Sequence, residues 1–214
     1  MGTGRLTGSF APCRKQASRQ ARLTTRYGVS MAALSVPPGA LGEAEKKGEP
    51  EEPEDHALGR SGGGLTTKIH ILCDSHGHPL HVHLSPGQTD DLSVLDAVLI
   101  GVHSRLLSGH DESFQWPCAL AGDKGYRAQW IDEYLLDLGI SPVIPSKANE
   151  HADARLVHFD KQAYRDRNIV KRLIGWLKES RRVFSRFEKT AINYLGMVKM
   201  AFIGRYLRLQ QGGL

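Results

Sequence analysis

The chain has 214 residues, of which 40% are hydrophobic and 24% are charged. This length and composition suit one globular core of ordinary size and exclude a chain that is disordered throughout. The formal net charge of +5 and the pI of about 9.2 fit a polyanionic partner, and the basic residues are concentrated between Lys161 and Lys189.

Nothing in the sequence indicates export or insertion into a membrane. No apolar run approaches the roughly 20 residues needed to span a bilayer, and no continuous apolar stretch follows the basic N-terminus to form a signal peptide. The three cysteines (Cys13, Cys73 and Cys118) lack metal-ligand spacing and are typical of free thiols in a reducing cytosol. We therefore expect a soluble, cytoplasmic protein.

Residues 1–58 lack the pattern of a folded domain. Residues 1–28 have no sustained hydrophobic period, and residues 29–41 are small and apolar but are interrupted by Pro37, Pro38 and Gly39. Residues 43–55 form a charged, proline-interrupted stretch typical of an exposed linker. We expect a disordered leader and linker here, and a folded domain over residues 59–210.

From Gly59 onward the pattern predicts regular structure. Residues 65–73 and 79–84 predict two strands joined by a turn into a hairpin. A helix to about residue 107, a buried strand at 118–121, a helix at 128–138 and a strand at 141–144 follow. A long basic helix over 161–184 and a terminal helix over 190–207 complete the chain. This order predicts an α/β fold with a mixed sheet flanked by helices.

Asp123 is the most informative single position. It directly follows a buried strand, which is where open α/β sheets place their functional sites. A turn or helix-capping role explains it equally well.

The long basic helix gives a second candidate site. Tyr164, Arg167, Lys171 and Lys178 have spacings that place them along one helix face. An adjacent apolar stripe would pack on the sheet (Ile169, Val170, Leu173, Ile174 and Leu177). Further positive charge comes from Arg172, Arg181, Arg182 and Arg186. Taken alone, such a helix is more often a solvated face than a binding surface.

Several segments resemble insertion-sequence DDE transposases with an RNase H-like core. AGDKGY, which contains Asp123, resembles the segment of their second aspartate, and YRDRNIVKRLIGWLK resembles their signature of Tyr, two residues, Arg, three residues, Glu, six residues and Lys. Four further segments are also similar to that family: KKGEPEEPEDHALGRS, GRSGGGLTTKIHILCD, LSPGQTDD and SRFEKTAINYLGMVKMAFI. The resemblance extends from about Lys46 to Leu207, with the segments in the expected order.

The resemblance implies a DNA-cutting and strand-transferring enzyme. In that family three carboxylates hold two Mg²⁺ ions, which assist in-line attack on a DNA phosphodiester. By this analogy Asp123 is a metal ligand and a catalytic residue. Tyr164, Arg167 and Lys178 would contact DNA near the scissile bond, and Arg172, Arg181 and Arg182 would extend the DNA-binding surface.

Two departures from the family pattern predict that this chain does not cut DNA. The third carboxylate is expected at residue 171, where this sequence has Lys171. A lysine repels a divalent ion: one pair of unit charges at about 4 Å is worth about 4 kcal/mol at an effective dielectric of about 20. Lys171 could instead pair with Asp123. Residues 1–45 contain no aspartate, so the first carboxylate, and with it the first strand of the core, is expected to be missing.

A shifted reading frame would explain the missing aspartate. A family-like segment Cys-Ile-Asp-Gly-Ser-Ser-Ile-Arg-Ala can be encoded so that reading one nucleotide later gives residues 29–37 as they stand. We hypothesise that residues 1–44 are translated out of frame and that the aspartate is encoded across the Ser30–Met31 junction. A Ser30 codon that does not end in G would rule this out.

The histidine-rich hairpin is a weaker candidate for a site. His81 and His83 share one face of a strand and could hold a transition metal, while His70, His76 and His78 lie nearby. No third ligand recurs at a fixed spacing, so a solvated strand or a nucleic-acid contact is favoured.

Three functional hypotheses follow. The first is a catalytically defective insertion-sequence transposase, a pseudoenzyme whose Mg²⁺ binding is lost or weak. The second is a non-catalytic DNA-binding remnant that occupies transposon ends or forms inactive oligomers with itself or with intact transposase. The third is a chain that does not fold stably because its central strand is missing.

Overall fold

The computed structural model describes residues 29–37, 56–107, 117–148, 150, 155 and 157–211. The expected disorder of residues 1–28 and of the charged linker lies outside the described residues. The strands are β1 (Val29–Val36), β2 (Gly59–Ser61), β3 (Gly64–Cys73), β4 (Pro79–Pro86), β5 (Ala119–Ala121) and β6 (Ser141–Val143). The helices are α1 (Asp91–Leu107), α2 (Gln129–Asp137), α3 (Lys161–Asp166), α4 (Asn168–Glu179), α5 (Arg181–Phe184) and α6 (Ala191–Gln211).

The strands form a mixed sheet with β1 at its centre. β3 pairs antiparallel with β1 from Ser30–Cys73 to Val36–Thr67, and β5 lies parallel to β1 on the other side, with Ser30 beside Ala121. β6 extends the parallel part beyond β5, β4 forms the antiparallel hairpin with β3, and β2 pairs with the first residues of β3. The predicted fold class, an α/β fold with a mixed sheet flanked by helices, is confirmed.

The prediction that the first strand is missing is wrong. Residues 29–36 form β1, the central strand, and belong to the same sheet as elements inside the predicted domain range 59–210. Met31 is buried against one helical layer, and Ala32, Leu34 and Val36 are buried against the other. A strand covered on both faces needs apolar side chains on both, and β1 supplies them although Val29 and Val36 are its only β-branched residues. The hypothesis of a chain without a central strand therefore loses its premise.

Helices cover both faces of the sheet. On one face α1 and α2 bury residues that include Val94, Leu95, Val98, Ile131 and Leu135. On the other face α4 and α6 bury Val170, Leu173, Leu177, Tyr194, Val198 and Phe202. The apolar stripe predicted for the basic helix thus packs on the sheet, with Ile169 and Ile174 partly buried beside it.

The prediction of one continuous helix over residues 161–184 is wrong. α3 ends before Arg167, where the backbone stays helical but forms shorter-range hydrogen bonds, from Arg167 N to Tyr164 O and from Val170 N to Arg167 O. At Ser180 the backbone is extended, with φ −77° and ψ 95°, and this separates α4 from α5. None of the described helices is both long enough and apolar enough to cross a membrane.

Candidate functional site at Asp123

Asp123 lies at the end of β5 and caps the 3₁₀ turn Lys124–Tyr126 that follows. Its Oδ1 accepts a hydrogen bond from Gly125 N at 2.9 Å, so the capping role considered from the sequence is present. Its side chain is 44% exposed, which leaves the carboxylate accessible from solvent. Capping therefore occupies one oxygen and leaves the second oxygen for another partner.

That partner is Arg167. The Nη2 of Arg167 donates to Asp123 Oδ2 at 3.1 Å, and the arginine side chain is only 7% exposed. The guanidinium carbon lies 5.6 Å from the ring centre of Tyr164, and Nη1 is 3.4 Å from the tyrosine hydroxyl. The structure thus brings together three of the predicted site residues, Asp123, Tyr164 and Arg167, from β5, α3 and the α3–α4 junction.

A second carboxylate, Asp91, approaches Asp123 across Gly125. A Cβ added at Gly125 would lie 2.9 Å from Asp123 Oδ1 and 3.3 Å from Asp91 Oδ2, so both carboxylates border this glycine. Asp91 is paired with Lys68, whose Nζ donates to Asp91 Oδ1 at 2.9 Å and to Thr89 O at 2.8 Å. Sequence patterns singled out neither Asp91 nor Lys68 as a site residue. The segment LSPGQTDD, similar to the transposases, was the available signal for Asp91.

A buried polar chain lies below these carboxylates. The Nδ1 of His70 is 3.4 Å from the Tyr126 hydroxyl, and its Nε2 is 2.8 Å from Ser85 Oγ. Burial lowers the pKa of His70 to about 4. Burial also raises the pKa of Tyr126, and the negative charges of Asp91 and Asp123 raise it further. Both side chains are therefore neutral near pH 7 and form an uncharged floor to the site.

Lys171 does not pair with Asp123. It is exposed on α4, and within the described residues the carboxylate of Asp123 forms its ion pair with Arg167 instead. Five predicted cations are exposed on α4 and α5, and we call them the cationic face: Lys171, Arg172, Lys178, Arg181 and Arg182. The spacing placed Arg167 on the same face as Lys171 and Lys178, yet Arg167 is buried and belongs to the Asp123 cluster.

Arg186 does not contribute to the cationic face. It is 2% exposed, and its guanidinium donates to Thr67 Oγ1 and to the carbonyl oxygens of His56, Glu188 and Lys189. It also lies over the ring of Tyr194, 4.9 Å from the ring centre. This arginine joins the end of α5 to β3 and to residue 56, so its charge is structural.

The described residues around Asp123 do not fit a centre that holds two divalent ions. Hard ions such as Mg²⁺ need several oxygen ligands. Among the residues that the structure describes, Asp123 belongs to no group of three or more His, Cys, Asp or Glu side chains whose ligand atoms could share one ion. The Oδ2 of Asp123 is paired with Arg167, and Asp91 is paired with Lys68. Both carboxylates therefore already form ion pairs with basic side chains.

Comparison with known families decides the relationship. A family model for the transposase DDE domain matches residues 44–195. The chain belongs to this family. A transposase of insertion sequence element IS402 from Burkholderia cepacia is 31% identical over 126 residues, which cover 58% of this chain and 55% of that protein. A transposase of insertion sequence element IS6501 from Brucella ovis is 25% identical over 144 residues, which cover 67% of this chain and all of that protein. The chain thus spans about half the length of the IS402 relative.

Solved transposase structures are more distant from this DDE domain chain. The Mos1 transposase paired-end complex with left transposon end has a TM-score of 0.36 at 12% identity, covering 81% of this chain and 66% of that chain. The Mos1 mariner paired-end complex with Mn has a TM-score of 0.36 at 13% identity, covering 88% and 69%.

Proposed function

We propose that this chain is an insertion-sequence transposase derivative that contacts DNA through its cationic face and does not cleave it. The observation that carries the proposal is the state of the predicted metal site. Asp123 is held by Arg167, and the position where the resemblance places a glutamate is occupied by the exposed Lys171. A cation at that position disfavours a divalent ion and attracts a phosphate.

The positions of the remaining residues support further roles. Arg167 and Tyr164 position the Asp123 carboxylate, since they form one cluster with it. Lys171, Arg172, Lys178, Arg181 and Arg182 are exposed on consecutive helices and can neutralise several backbone phosphates of one DNA segment. Family membership supports transposon ends as the DNA. In an intact relative, divalent ions bound by the carboxylates would supply the chemistry of strand cleavage.

Nicking of DNA that carries the element's own ends tests the catalytic defect. The assay, with Mg²⁺ or Mn²⁺, compares this chain, its Asp123→Asn variant and a Lys171→Glu variant in which the alternative frame is restored over residues 1–44. We expect nicking only from the restored variant. Nicking by the unmodified chain that disappears in Asp123→Asn would show that another carboxylate completes the site.

A second candidate function is inhibition of an intact transposase. The cationic face favours this function, because a chain that binds transposon ends without cutting them prevents an intact transposase from binding there. Adding this chain in excess to an intact relative should then reduce cleavage, and an Arg181→Gln/Arg182→Gln variant should reduce it less. Equal inhibition by both chains would point to mixed oligomers instead of competition for DNA.

A further inference from the structure

We propose that the turn between β3 and β4 is a binding site for one divalent transition-metal ion, such as Zn²⁺ or Co²⁺, held by Asp74, His76 and His78. One ligand atom from each of these side chains lies within 4.8 Å of the others. Within the described part of the chain they form the one such group, and Asp123 is not a member. The inference is therefore independent of the proposed DNA-related function.

The backbone of the turn is fixed by Asp74 itself. Its Oδ1 accepts hydrogen bonds from His76 N at 2.9 Å and from His78 N at 2.8 Å. The backbone of Asp74 also bonds to Gly77 N and His78 O, and Gly77 has a φ of +82°, which a residue with a Cβ rarely adopts. These bonds hold the two histidines on the same side of the turn as the carboxylate.

The second carboxylate oxygen points to the imidazoles. Asp74 Oδ2 lies 3.0 Å from His78 Nδ1 and 3.8 Å from His76 Nδ1. Two ligand atoms that share a tetrahedral ion at about 2.1 Å are themselves about 3.4 Å apart. The two carboxylate-to-imidazole separations lie on either side of that value, and all three ligand atoms lie within 4.8 Å of one another, so rotations of the side chains can bring them to one ion.

The turn is also anchored to the rest of the protein. A Cβ at Gly77 would lie 3.0 Å from Ile169 Cγ1, which shows how closely the turn approaches α4. The ring of Tyr206 on α6 meets the His78 ring edge-on, with 6.0 Å between the ring centres. The side chains of His76 and His78 are 57% and 44% exposed, so a metal ion can reach them from solvent.

The ligand set selects the class of metal. Two imidazole nitrogens and one carboxylate oxygen suit Zn²⁺, Co²⁺, Ni²⁺ or Cu²⁺, whereas Mg²⁺ takes oxygen ligands. Three protein ligands leave a fourth position open to water. The pair considered from the sequence, His81 and His83, does not belong to this cluster. A Cβ at Gly101 of α1 would lie 2.2 Å from the His81 ring, so this ring packs against the helix.

Titration of the metal-free full chain with Zn²⁺ and with Co²⁺ tests the site, with affinity from competition against a chromophoric chelator and coordination from Co²⁺ absorption. We expect one ion per chain and a higher melting temperature with Zn²⁺. Asp74→Asn keeps the oxygen that accepts the backbone bonds but loses the charge, and it should weaken binding at least about tenfold. His76→Gln/His78→Gln should do the same.

His158→Gln is the matched control, because His158 is an exposed histidine on another segment. It should bind both ions as the parent chain does. Binding by Asp74→Asn or His76→Gln/His78→Gln that equals the parent would overturn the proposal, as would the absence of one-to-one binding by the parent. His76 and His158 are exposed and the His78 side chain is 44% exposed, so melting temperatures close to that of the parent are expected without metal and verify that each variant is folded.

Discussion

The carboxylate of Asp123 has two structural roles. One oxygen caps a turn, and the other pairs with a buried guanidinium. The arginine is almost fully buried, and breaking a buried ion pair by removing one partner is more costly than the pair's net contribution to stability. Removing the Asp123 carboxylate would therefore leave the buried Arg167 guanidinium without this ion-pair partner. Both oxygens of the Asp123 carboxylate thus have partners within the fold.

Much of this cluster can be predicted from the sequence, but not all of it. Asp123 follows a recognisable buried strand, and the spacing of Tyr164 and Arg167 is a local pattern, so each was a candidate before the structure. Their roles in catalysis and DNA binding stay predictions. Lys68 and Asp91 were not predicted as a pair, because their contact joins two segments that no spacing relates.

His70 gives a prediction for the pH dependence of stability. Its folded-state pKa of about 4 lies below the value near 6.5 for an unfolded histidine. Between these values the unfolded chain binds more protons, so the free energy of unfolding falls as the pH falls through this window. The loss between pH 7 and pH 5 should be smaller by about 1–2 kcal/mol in His70→Gln than in the parent chain, measured by urea denaturation.

The exposed His158 again provides the control, since His158→Gln should keep the full pH dependence. Burial also lowers the pKa of His83, so His70→Gln should reduce the dependence without abolishing it. Identical pH profiles for His70→Gln and the parent would mean that His70 does not carry the effect.

Among the elements, β1 and the short β2 are the strands that sequence patterns failed to predict. Helices and hairpins leave local signals, and the predicted bounds of β3, α1, α2 and α6 lie within a few residues of the observed ones. β1 leaves none, because its closest paired residues in sequence, Val36 and Thr67, are 31 positions apart. Its Ala and Ser content also has weak strand preference, so pairing and burial determine its structure.

Substitutions within β1 test its central place. Leu34 is 8% exposed and packs in the layer of α4 and α6. Leu34→Ala should lower the free energy of unfolding by about 2–5 kcal/mol, the usual range for removing a buried leucine side chain. Ser35→Ala, an exposed neighbour, should change it by less than about 0.5 kcal/mol. Equal small effects of the two substitutions in chemical denaturation would place β1 outside the folded core.

At the scale of the whole molecule, the net charge of +5 is spread unevenly. The cationic face concentrates five exposed cations on α4 and α5, while Arg167 and Arg186 are buried and serve the fold. A count of basic residues in the sequence therefore overstates the number of cations on the surface. Which cations stay exposed depends on how α4 and α5 pack, and the sequence pattern, interpreted as one basic helix over residues 161–184, did not predict the break at Ser180.

The salt dependence of DNA binding should reveal this surface. Each phosphate contact on duplex DNA contributes about 0.9 to the slope of log K against log salt concentration. Arg181→Gln/Arg182→Gln should therefore reduce the slope by about 2 in a fluorescence anisotropy titration. Lys147→Gln/Arg208→Gln removes the same charge from exposed positions on other segments and should leave the slope nearly unchanged. Equal slopes for the two double variants would argue against the cationic face.

Until β1 docks, β3 and β5 each present an unpaired row of backbone N–H and C=O groups, which are open templates for any strand of the right length. Pairing of this segment with β3 closes a loop of about 30 residues, which has an entropic cost that the short β3–β4 hairpin does not have. The same segment from a second copy has identical complementarity. Exchange of β1 between two chains thus competes with pairing of β1 within one chain. The exchanged fraction should rise with protein concentration.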